Sequence, residues 1–149
     1  MTFFKNEPDG FRGIRWGTSV KKAKLIDKRT GARSPLDNST IYLWEFELEN
    51  YKLHGIKAKR IEYHYWDDKF ERARIFFTGY DDYLTLLENL FNEYGEITEK
   101  AEFMHEWRGS RSCMLLTYDS VKEQGKLEIF SIKLSGDKVT QQREISGFW

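Results

Sequence analysis

The chain has 149 residues, and its 24 Lys and Arg balance 24 Asp and Glu to a formal net charge of zero. That balance disfavours a protein governed by nucleic-acid or membrane electrostatics. A single cysteine, Cys113, excludes an intramolecular disulfide and a cysteine-rich metal site. The length fits one domain, 1–149, and no apolar run approaches membrane-spanning length.

Residues 1–10 lack the apolar core of a signal peptide, so the chain as written reads as cytoplasmic; a periplasmic location follows only if a leader has been removed. Residues 11–34 form a basic opening segment, a loop around Gly13 and Gly17 followed by a short helix capped by Thr18 or Ser19. The sheet region is expected over 41–134. Residues 41–48 read as a strand with Tyr42, Trp44, Phe46 and Leu48 inward, and Gly55 suggests a bulge after residues 51–54.

Residues 60–77 alternate with period two and predict a hairpin. A three-residue loop at Asp67, Asp68 and Lys69 would set Trp66 opposite Phe70, His64 opposite Arg72 and Glu62 opposite Arg74. One face then carries Ile61, Tyr63, Tyr65, Ala73, Ile75 and Phe77. Over 79–94, Tyr83, Leu86, Leu87, Leu90, Phe91 and Tyr94 recur at the spacing of one helical stripe. Thr78 and Asp81 resemble a capping pair there, and Gly95 is suited to stop the helix. Short strands are expected over 103–108, 112–118 and 126–134. The tail, 135–149, shows no pattern, although Phe148 and Trp149 are apolar enough to dock. These elements predict an α+β domain: a largely antiparallel sheet of five to six strands, one long amphipathic helix on one face and a short N-terminal helix.

The run F-R-G-I-R-W-G-T-S, from Phe11 to Ser19, resembles the opening of a group of small bacterial proteins in which a WGT-type motif precedes a short helix. Tyr94-Gly95 and Trp107-Arg108-Gly109 are similar to later features of the same group. The resemblance implies a bacterial origin and, for many members, export. The group has no assigned reaction to carry over.

No catalytic motif emerges from the residues. His105-Glu106-Trp107-Arg108-Gly109 lacks the second histidine of a zincin helix, so no metal site is expected there. Ser110 and Ser112 sit in no nucleophile elbow, and Cys113 lies in an apolar strand where cysteine is ordinarily a small hydrophobe. No cofactor is expected. The favoured reading is a noncatalytic binding or interaction domain that uses His64, Trp66, Phe70, Arg72, Arg74 and Phe76 as an aromatic and basic sheet face. Its expected partner is a protein or a small molecule, a second copy of the chain included. Two alternatives remain open: a small enzyme with a nonstandard site in a pocket beside the sheet, or a weak phosphate or nucleic-acid binder through Arg12, Arg15, Trp16, Lys21 and Lys22.

Overall fold

The computed structural model describes residues 4–23, 32–33, 39–44 and 52–146. A small hairpin, β1 (Gly10–Phe11) and β2 (Ile14–Arg15), opens the chain and is followed by a 3-10 turn, Val20–Lys22. Next come β3 (Ala32–Arg33), β4 (Ser39–Trp44), the hairpin β5 (Lys52–Leu53) and β6 (Ile56–Lys57), and the strands β7 (Arg60–Trp66) and β8 (Lys69–Thr78). Helix α1 (Tyr80–Tyr94) leads to β9 (Glu99–Ala101), β10 (Met104–Arg108), β11 (Ser112–Asp119) and β12 (Gln124–Ser131), and α2 (Ile132–Ser146) ends the described chain.

Among the described residues the main sheet has eight strands in the order β3-β4-β7-β8-β12-β11-β10-β9, every neighbour antiparallel. Two four-stranded runs thus meet at the β8–β12 seam, and each run is followed by a 15-residue helix. This architecture overturns the expected one. The fold is mostly β, its sheet has eight strands rather than five to six, and a second long helix occupies the stretch read as a patternless tail. The expected short N-terminal helix is only a three-residue 3-10 turn, without a side-chain cap from Ser19. Positions Phe46, Leu48, Phe148 and Trp149, for which inward packing or docking was expected, lie outside the described residues.

The central hairpin also differs from its expected form. Asp67 and Asp68 both hold positive φ, 52° and 56°, and form a two-residue turn that pairs Trp66 with Lys69 and Tyr65 with Phe70. Left alone, that turn would shift every later side chain to the wrong face. A bulge prevents it: Glu71 has no partner across the ladder, and beyond it His64 pairs with Arg72, Glu62 with Arg74 and Arg60 with Phe76. A two-residue turn is likewise found at His54-Gly55, φ 47° and 88°, in place of the expected bulge at Gly55.

The core lies between α1 and one face of the sheet. Tyr83, Leu86 and Leu90 of α1 join Ile61, Tyr63, Ala73, Ile75, Phe77, Met114, Leu116, Leu127 and Ile129 in a single buried cluster. The helix starts at Gly79 without a side-chain cap, so the Thr78–Asp81 pair does not act as one; Asp81 and Asp82 still sit at the positive end of the dipole. Gly95 ends it, at φ 89°, its N–H reaching the Phe91 carbonyl at 2.9 Å. Because Leu90 is fully buried and Glu88 exposed, Leu90→Ala should lower unfolding free energy by about 2–5 kcal/mol. Glu88→Ala should change it little, and chemical denaturation of the two variants checks the difference.

A cationic face on the sheet

Period-two alternation sends the other half of each strand's side chains to the face away from α1. Register places Leu43, Glu62, Arg74, Glu128, Leu115 and Glu106 in one row across six strands. A second row runs through Ile41, His64, Arg72, Phe130 and Cys113, and a third through Arg60, Phe76, Lys126 and Thr117. Cross-strand neighbours of opposite charge attract, and this face is laid out to use that.

The charges are stacked by depth as well as by row. Glu128 is 6% exposed and accepts from Arg74 at 3.2 Å and from Arg72, with the Lys126 ammonium at 3.5 Å. Glu62 is 14% exposed, 3.1 Å from Arg60 and 3.0 Å from the His64 imidazole. Their cationic partners stand further out: Arg60 is 45% exposed, Lys126 36% and Arg74 33%. Glu62 and Glu128 thus lie at the base of the face together with His64 and Arg72, while Arg60, Lys126 and Arg74 stand at its surface. Two rings take part, with the Arg60 guanidinium 4.2 Å from the Phe76 centroid and that of Arg72 4.4 Å from Phe130.

Helix α2 covers one end of this face, through polar contacts. Gln141 accepts from the Trp66 indole at 3.1 Å, Ser135 accepts from Arg72 at 3.1 Å, and Lys138 donates at 2.8 Å to the fully buried Glu71. Among the described residues, none covers the other end. There Lys59, Arg60, Phe76, Thr78 and Gln124 line a shallow recess of about 350 Å³.

The residues singled out from sequence are therefore divided. His64, Arg72, Arg74 and Phe76 share the face, with His64 buried beneath its neighbours. Trp66 is buried against α2 and pairs with Lys69, not Phe70. Phe70 points the other way, with its centroid 5.1 Å from the Trp16 ring and 5.4 Å from Tyr65, because the bulge at Glu71 follows it. Lys126, Glu128 and Phe130 were missed, although they alternate along β12 as visibly as Arg72, Arg74 and Phe76 do along β8. Glu71 and Lys138 had no sequence signal, since neither the bulge nor α2 was foreseen.

The basic opening segment is divided too. Trp16 packs inward and donates to Ser112 Oγ at 2.8 Å, so its ring is not available for base stacking. Arg12 donates to the Tyr63 hydroxyl at 2.8 Å, and Arg15 pairs with Asp9 at 3.6 Å. Lys22 lies beside both arginines around a recess, and Lys21 is exposed on the same 3-10 turn.

Groups with chemical potential elsewhere are held quiet. Burial pushes the Cys113 thiol up to about 12, with Glu106 adding to the effect. Tyr83 and His105 meet at 2.8 Å inside a cluster with Tyr80, Phe103 and Tyr118; burial raises Tyr83 to about 12 and lowers His105, helped there by Lys100. Among the described residues, no three His, Cys, Asp or Glu side chains are grouped to hold a metal ion. No helix among them is long and apolar enough to cross a membrane. The chain matches no protein-family model, no curated protein and no solved structure.

Burial works to raise the Glu128 pKa, but Arg72, Arg74 and Lys126 outweigh it and hold the group below its ordinary 4.5. A depressed folded-state value means that its stabilisation is complete above the unfolded value and is lost as pH falls through the folded one. Glu128→Gln should therefore lose about 3 kcal/mol at neutral pH, since it removes the carboxylate that Arg72, Arg74 and Lys126 share and leaves the buried Arg72 with Glu71 alone. Its stability should also fall less steeply than that of the parent chain below pH 4.5, the ordinary value for this carboxyl. Urea titrations across that range check both.

Proposed function

We propose that this chain is a noncatalytic binding domain whose sheet face receives an acidic polypeptide segment. The observation that carries the reading is the layering of charge: Glu62 and Glu128 at the base, Arg60, Arg74 and Lys126 outermost. A carboxylate arriving from outside meets cations first, and cations already fixed by ion pairs lose little side-chain entropy on binding it. Arginine and aromatic rings together are the common anchors of protein interfaces, and Arg60–Phe76 and Arg72–Phe130 supply two such pairs. A face crossing six strands suits an extended chain better than a compact metabolite. The part of the face that α2 covers, around Trp66, is internal packing in this reading.

The test uses a fluorescein-labelled peptide of alternating Glu and Tyr, with a Gln-Tyr peptide as control. Arg60→Glu combined with Lys126→Glu should leave circular dichroism unchanged and weaken the acidic peptide by roughly tenfold or more, mainly by faster dissociation. Equal affinity for the two peptides, or an unaffected double variant, would overturn the reading. Sedimentation of the unliganded chain supplies a separate check: self-association abolished by the same double variant would mean that this face belongs to a second copy.

A further inference from the structure

We propose that the recess between the β1–β2 turn and the 3-10 turn at Val20–Lys22 is a second site, one that holds the phosphate group of a small molecule. It is independent of the cationic sheet face, because its anchor, Arg12, bonds Tyr63, whose side chain belongs to the core on the α1 side. The sequence builds it from a tight turn. Arg12 and Gly13 both hold positive φ, 51° and 80°, which reverses the chain in two residues and pairs Phe11 with Ile14. Phe11 and Ile14 are buried in the core and fix the hairpin's position; between and after them Arg12 is half-buried against Tyr63 and Arg15 is exposed. The next turn brings Thr18 and Lys22 to the opposite wall.

The result is an open recess of about 410 Å³ with Ile14 and Ala23 among its lining and Arg12, Arg15, Thr18 and Lys22 as its polar groups. Among the described residues, three cations and one hydroxyl line it, and none of those lining residues is acidic. Arg12 is oriented by its 2.8 Å bond to the Tyr63 hydroxyl. Arg15 is 81% exposed and its Asp9 partner, at 3.6 Å, is 59% exposed, a surface pair that a doubly charged anion can outcompete. A tetrahedral dianion takes donors from several directions, and two planar guanidinium forks with one ammonium meet that need better than they meet a single carboxylate. The volume exceeds that of phosphate alone, leaving room for the group that carries it.

Titration calorimetry with inorganic pyrophosphate, at low and at physiological salt, tests the assignment. Binding should weaken by roughly tenfold in Lys22→Gln, whose exposed side chain has no part in the core, and more in Arg12→Gln. Arg60→Glu with Lys126→Glu should leave it unchanged, which separates this site from the sheet face. Absence of binding at about millimolar pyrophosphate, or equal binding by the parent chain and Lys22→Gln, would overturn it. So would a single-stranded oligonucleotide that binds more tightly than pyrophosphate with a steep salt dependence, because the recess would then be part of a nucleic-acid surface.

Discussion

The pairing of β8 with β12 is the contact on which the rest of the molecule depends. Seven residue pairs, from Thr78–Gln124 to Arg72–Phe130, join two runs of strands that would otherwise be separate four-stranded sheets. The seam sets both faces at once. On one side it aligns Ala73, Ile75 and Phe77 with Ile129, Leu127 and Gly125 under α1; on the other it aligns Arg72, Arg74 and Phe76 with Phe130, Glu128 and Lys126. Its fit is close: a Cβ on Gly125 would fall 2.1 Å from the Phe77 ring. The two strands are separated in sequence by α1 and three further strands, so loop-closure entropy opposes the seam until the second run is formed.

The two sides of the sheet reach low energy by different routes. Under α1 the stabilisation is apolar burial. On the far face, Glu62, Glu71 and Glu128 leave water only because each meets cations at ion-pair distance. Such groups are costly to separate from their partners and add modest net stability while together. They do fix geometry, since one misplaced arginine would leave a buried carboxylate uncompensated. α2 uses the same means, touching Trp66, Glu71 and Arg72 through an amide, an ammonium and a hydroxyl.

What could be read from the residues follows from these routes. The pairs Glu62–Arg74 and His64–Arg72 were legible because alternation of apolar with charged side chains specifies a face strongly. The local route to that register was not, since a two-residue turn corrected by a bulge and a three-residue turn without one give the same downstream pairing. The strand count failed at the margins: Glu99–Ala101 is exposed throughout and has no large apolar residue, and Ala32–Arg33 is two residues long. α2 was missed for a physical reason. I-K-L-S-G-D-K-V-T-Q-Q-R-E-I-S has no apolar stripe to announce a helix, because Leu134 is its one buried apolar side chain among the described residues and its bonds to Trp66, Glu71 and Arg72 are polar. Of the cationic face, β7 and β8 could be recognised in advance and β12 could have been, while Lys59 joins only where the strands end.

The outermost strands of the sheet have a consequence for life at high concentration. A sheet of eight strands that does not close presents two unpaired backbone borders, each able to template addition of a strand from another molecule. Among the described residues those borders are β3, two residues long, and β9, three exposed residues that read Glu-Lys-Ala. Neither offers the long, flat, apolar run that cross-molecule pairing needs, and charges on β9 penalise close stacking of like copies. Among the described residues, the broad sheet thus offers little at its own ends for a further strand to extend.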